Sequence, residues 1–181
     1  MDEIVKKAIE RNEKEAKSLD SVPWKPDEPY AQEFFAYDNS KQAWVPTQCK
    51  PLQEPLQEVQ APQGVTRLAL FSWNIDFMLP FAKARMDAAL DHLEGLVNEL
   101  GPSTAVVIYL QECIEEDLGT ISEKGWVRDK FYLTDTNGKN WATYYGTTTL
   151  VDRRLDVASC FRVHYRETRM QRDAFFVDGY Q

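Results

Sequence analysis

The chain has 181 residues, 43% hydrophobic and 12% aromatic, which is enough for one domain with a sizeable core and too apolar for a disordered chain. Its formal net charge of −8 argues against a protein that coats nucleic acid non-specifically, since such proteins neutralise many phosphates with Lys and Arg. No stretch is apolar over the length a membrane helix needs, and Met1–Lys7 lacks the apolar core of a signal peptide. Cys49, Cys113 and Cys160 form no C-x-x-C pair, so disulfides and zinc find no support. A reducing intracellular compartment, cytoplasmic or nuclear, is the expectation.

Residues 1–21 read as a charged helix whose short apolar stripe is Ile4, Val5, Ala8 and Ile9. Such a helix is marginal alone and persists only if the stripe docks. Residues 22–65 hold seven of the nine prolines, and no helical or alternating period lasts there. Trp24, Tyr30, Phe34, Phe35, Tyr37 and Trp44 interrupt the segment, and aromatics at that density bury against something. The expectation is an extended arm that wraps the following domain, with a partner-binding segment as the alternative.

A globular part spans residues 66–181. Leu68–Trp73 and Val106–Leu110 read as buried strands, short apolar runs bounded by breakers. Between them Met86, Ala89, Leu90, Leu93, Leu96, Val97 and Leu100 recur at helical spacing until Gly101-Pro102 stops the helix. A strand–helix–strand unit brings both strand ends to the same sheet edge, so the polar groups there can share one site. Those groups are Asn74 and Asp76 after the first strand, Gln111 and Glu112 after the second. A helix over 114–124, a short strand at 130–133, a polar turn at 134–140 with Asn-Gly at its tip, and strands at 143–151, 156–163 and 174–177 complete the prediction.

Several motifs fall in order here: Ser72-Trp73-Asn74-Ile75-Asp76, Arg85 at the start of the long helix, Gln111-Glu112, Tyr145–Leu150 and Met170–Val177. Together they resemble the endonuclease/exonuclease/phosphatase superfamily, the metal-dependent phosphodiesterases built like DNase I, and within it the tyrosyl-DNA phosphodiesterase branch. The resemblance implies an α/β fold, a DNase I-like αββα sandwich. The family's later Gly-Asp-x-Asn and Ser-Asp-His motifs do not occur in this sequence, so the first half of the sandwich is expected here without the second.

The chemistry implied is hydrolysis of phosphoester bonds by in-line attack of water, assisted by magnesium, with manganese as the alternative ion. Glu112 is the metal ligand: a carboxylate after an apolar strand is costly to bury without a cation, and magnesium takes one or two carboxylates while keeping several waters. Asn74 holds a metal-bound water or a phosphate oxygen, and Arg172 a phosphate oxygen. Asp76 either orients the metal's surroundings or caps the following turn, and Gln111 supports Glu112 from beside it. Arg169 shares phosphate recognition with Arg172 or lies on a solvated face, and the other arginines of the C-terminal part are structural. His92 and His164 are structural or exposed, and Cys113 is a small core filler.

Three readings stay open: a magnesium-dependent phosphodiesterase whose chain, lacking the later motifs, is inactive as given; a non-catalytic fragment; and an interaction module using the aromatic arm. Expected partners are a phosphoester substrate, nucleic acid ends among the candidates, and further copies of the chain through an uncovered sheet face.

Overall fold

A computed structural model describes residues 3–47, 49 and 64–180, and the rest of the expected arm, Gln48 and 50–63, lies outside the described residues. The strand–helix–strand unit forms as the pattern requires. Strand β4 (Arg67–Asn74) leads into α2 (Ala82–Asn98) and returns as β5 (Thr104–Ile114), parallel to β4 from Arg67↔Thr104 to Asn74↔Gln111. Before it come α1 (Glu3–Glu15), β1 (Pro29–Ala31), β2 (Phe34–Asp38) and β3 (Ala43–Thr47). After it come α3 (Glu115–Glu123), α4 (Gly125–Lys130), β6 (Phe131–Leu133), β7 (Tyr145–Asp152), β8 (Asp156–His164) and β9 (Asp173–Tyr180). The described residues make a six-stranded sheet, β3-β2-β6-β7-β5-β4, and a three-stranded sheet, β1-β8-β9.

The continuous apolar run of β5 follows from its being buried on both faces. Val106, Ile108 and Leu110 pack under Met86, Leu90, Leu93 and Val97 of α2 and Leu118 and Ile121 of α3. Ala105 and Val107 face the other way, toward Val157 and Cys160 of β8, with Phe175 and Val177 of β9 at the margin. The layers are therefore helices, large sheet, small sheet, the order the αββα expectation gives for its first three layers.

Residues 29–47 do not run as an irregular arm: they supply strands to both sheets. β2 pairs with β3 and, at Phe35↔Leu133, with β6, while β1 pairs with β8. Strands of three to five residues are too short to show a period. The aromatics that mark the segment are anchors instead, with Trp24, Phe34, Phe35 and Tyr37 buried. The polar run after β6 also departs from an exposed turn, since Thr134 and Asp135 are buried. Trp141 covers β7 closely enough that a Cβ on Gly146 would lie 2.5 Å from its ring, which requires glycine there.

Among the described residues, the edge strand β4 carries part of the expected uncovered face. Its Ala69 and Phe71 pack against the helix-side core. Leu68 and Leu70 are 43% and 61% exposed and line a cleft of about 180 Å³ with Val107, Val157 and Val177. On the three-stranded sheet Phe176, 42% exposed, stacks on Phe161 at 4.7 Å.

The two sheets are fastened by Arg162 of β8, whose side chain is wholly buried. Its Nε donates to Gln32 Oε1 (2.9 Å). Its Nη1 donates to Thr147 Oγ1 (2.9 Å) and Asp173 Oδ2 (3.0 Å), and its Nη2 to Asp135 Oδ2 (2.9 Å) and the Thr147 carbonyl (2.7 Å). Every guanidinium N–H is thereby used. Removing the cation strands two carboxylates, a loss of about 3–5 kcal/mol for a broken buried pair. Arg162→Ala is expected to lower the urea midpoint accordingly, and Arg162→Lys to recover little of it, because an ammonium cannot make the planar fork; equilibrium unfolding of both variants checks this.

Candidate functional site

The carboxyl ends of β4 and β5 lie side by side, Asn74 opposite Gln111, and the Ile75 amide donates to the Gln111 carbonyl at 2.8 Å. The next residue, Glu112, has φ +57°, the left-handed region, and the β5–β7 register shifts between Leu110 and Cys113. This is a β-bulge, a device that re-aims a side chain. Along an unbroken strand Glu112 would follow Leu110 into the helix-side core. The extra residue gives that place to Cys113, fully buried in the core, and frees the carboxylate to turn to the sheet edge. Burial holds the Cys113 thiol far above its ordinary range, which suits a filler and not a nucleophile.

Glu112 is largely shielded, and its Oε1 accepts a 2.8 Å bond from Nη2 of Arg172, which is half exposed. The chain before β9 is shaped to deliver that arginine. The Tyr145 hydroxyl donates to the Met170 carbonyl, Gln171 takes φ +50°, and the Arg172 guanidinium lies 5.4 Å from the Tyr145 ring centre. Burial raises the Tyr145 phenol to about 12, so it stays a donor. Phe77 stacks on Tyr145 at 4.0 Å. Arg169 is exposed.

The β4 end is a sequence of local caps. Asn74 Oδ1 accepts from the Asp76 amide (2.8 Å), and Asp76, at φ +61°, accepts from the Met78 amide (3.1 Å). Of the two roles left open for Asp76, this geometry is the turn cap. Arg85 closes the same loop from α2 by donating to the carbonyls of Ile75, Leu79 and Pro80. Gln111 donates to Ser72 Oγ and to the Tyr109 carbonyl, both at 3.2 Å, and so braces the strand pair.

Glu112 and Arg172 thus meet at one edge, and Asn74 ends the neighbouring strand there with its Oδ1 turned to the Asp76 amide. Among the described residues no group of three or more His, Cys, Asp or Glu side chains could hold a metal. The donor present is the hard carboxylate of Glu112, which fits a water-rich ion such as magnesium better than a zinc-type cage of His and Cys. Arg172 is the cation now neutralising Glu112, and a metal ion there would compete with it.

Sequence reading did not single out Tyr145, Phe77 or Met170 for the site. Their signal lies in pairings between distant segments. Neither histidine is at the site. His92 is exposed on α2, edge-on to Trp73 at 5.8 Å. His164 is buried, stacked on Trp24 at 4.1 Å, with no hydrogen-bond partner for either ring nitrogen among the described residues.

Burial pushes the His164 imidazole down to about 4 from an ordinary 6.5, against the opposing pull of Asp173. Between these values the unfolded chain binds a proton that the folded chain refuses, so the stabilisation is complete above 6.5 and is lost as pH falls toward 4. Thermal unfolding across that window is expected to show a melting temperature falling with pH, with a shallower slope in His164→Phe.

No protein-family model matches the sequence, and no curated protein matches it. Solved structures similar to the chain are of TDP2 from Caenorhabditis elegans. One aligns with 61% of this chain and 31% of its own length at 25% identity and a TM-score of 0.48. A truncated form of the same protein aligns with 61% and 40% at 23% identity and a TM-score of 0.47. The chain therefore spans less than half the length of these solved chains. Among the described residues no helix is long and apolar enough to cross a membrane.

Proposed function

We propose that this chain carries the metal- and phosphate-binding part of a magnesium-dependent phosphodiesterase. The observation that carries the reading is Glu112, set on a strained bulge beside Asn74 and paired with Arg172. Left-handed backbone at a non-glycine residue is costly and persists where the surroundings enforce it, often at functional sites.

Glu112 would hold the ion, Asn74 a water or phosphate oxygen next to it, and Arg172 a second phosphate oxygen. The bound ion supplies polarisation of the phosphoryl group and stabilises developing charge. Arg172 then has two uses: without substrate it neutralises Glu112, and with a phosphate present its planar fork suits the phosphate oxygens. Tyr145 and Met170 fix its approach, while Asp76, Arg85 and Gln111 keep the two strand ends in place. The substrate is a phosphoester, with nucleic acid ends as one class.

Magnesium affinity is expected to fall in Glu112→Ala and to change less in Asp76→Ala or His92→Ala. Titration calorimetry on the three variants decides it, and unchanged affinity in Glu112→Ala would remove the site.

A second reading, association of copies of the chain, is favoured by Leu68 and Leu70 on β4, an edge strand among the described residues with exposed apolar surface. Light scattering is expected to show association that Leu70→Lys weakens; equal molecular weights would exclude that face.

A further inference from the structure

α1 lies close beside the Glu112–Arg172 pair. Ala8 and Asn12 are its buried residues, and Ala8 belongs to one cluster with Phe77 and Tyr145, fringed by Met78, Tyr144 and Met170. These residues form the rim of the site. Phe77 and Met78 follow Asp76, Tyr145 lies beside Arg172, and Met170 precedes Arg172 by two positions. Arg11 covers the Tyr144 ring at 4.0 Å, Thr143 Oγ1 reaches the Asn12 carbonyl at 3.5 Å, and the Lys17 amide donates to the Ala142 carbonyl at 2.9 Å. The helix thus crosses the edge of the site from the β4 loop to the start of β7.

Its attachment is weak in kind. Its buried residues are one alanine and one asparagine, Val5 and Ile9 are half-buried, and Ile4 is 50% exposed. The Asn12 side chain is 1% exposed, and neither its nitrogen nor its oxygen has a partner among the described residues. An unsatisfied buried polar group is costly and offsets much of what burying a small apolar side chain contributes. A helix selected only to complete the core would carry a Leu there. A helix carrying this orphan is held less firmly than one carrying Leu there.

Resting on the phosphoester reading, we propose that α1 is a wall of the substrate site that limits the size of the group attached to the phosphate. Ala8 and Asn12 set how firmly the wall stands. A small phosphate compound reaches Glu112 and Arg172 with α1 docked. A substrate carrying a bulky group displaces α1, and the uncovered aromatic rim of Phe77, Tyr144 and Tyr145 becomes the surface that group packs against.

The test uses the full chain with magnesium. Ala8→Gln undocks the helix, and Asn12→Leu removes the orphan and seats it more firmly. Hydrogen exchange of the α1 amides reports docking directly. Binding is measured by calorimetry for inorganic phosphate and by fluorescence anisotropy for a labelled oligodeoxynucleotide bearing a 5′-phosphate. In Ala8→Gln, faster α1 exchange is expected with oligonucleotide affinity raised about tenfold, as for a docked state favoured by roughly nine to one, and phosphate affinity unchanged. In Asn12→Leu, slower exchange and weaker oligonucleotide binding are expected, again with phosphate unchanged. This second variant decides the matter alone if the first fails to fold. Exchange that shifts while oligonucleotide affinity stays constant, or moves in step with phosphate, overturns the wall. Magnesium binding that ignores Glu112→Ala overturns the phosphoester reading and the wall together, so the two failures are distinguishable.

Discussion

The candidate site takes Glu112 and Asn74 from the large sheet and Arg172 from the start of the small one, so its geometry depends on how the two sheets are fastened. Arg162 does the fastening. It reaches Gln32 before β2, Asp135 after β6, Thr147 on β7 and Asp173 on β9 with one rigid, fully bonded group. Asp173 is the residue after Arg172, so the anchor that holds the sheets together also sets where the site arginine emerges. Two carboxylates share one guanidinium in a dry interior. Burial raises the Asp135 acid and the Arg162 charge opposes that rise. The arrangement is sensitive to geometry, and the neutral His164 beside Asp173 adds no second cation to it.

The parts of the fold legible in the sequence are those specified by neighbours. The β4–α2–β5 unit announces itself through an apolar run, a helical stripe and a Gly-Pro stop. Because parallel strands joined by one helix end on the same edge, the juxtaposition of Asn74 with Gln111-Glu112 follows from order alone. Arg162 was not distinguishable from the arginines around it. What makes it the fastening is a set of partners 11 to 130 positions away, and composition carries no trace of them. Asp135 likewise sits in a run with every mark of a solvated turn. For β1 to β3, proline and aromatic content described the texture correctly, but strands this short exist by pairing with distant ones.

At the N-terminus the expected apolar stripe was Ile4, Val5, Ala8 and Ile9; Ala8 is buried and Val5 and Ile9 half-buried, whereas Ile4 is exposed and the docked face extends to Asn12. Hydrophobic pattern predicts the face that would be buried most favourably. A helix lying on a half-open aromatic rim answers to the shape of that rim as well, and the difference is informative about where the helix sits.

The bulge in β5 has a consequence for how this protein can change. Before it, even-numbered residues face the helices; after it, Cys113 does. The count of residues between Leu110 and Cys113 is therefore a phase marker for the strand. Deleting one of them would leave Cys113 two residues after Leu110, in the helix-side core as before, and would remove the bulge that frees Glu112 to turn to the sheet edge. Loss of the extra residue would therefore act on the direction of Glu112 while leaving the core in phase. Substitutions at these two positions can be gradual in effect, whereas losing the extra residue would remove the turned-out carboxylate in one step.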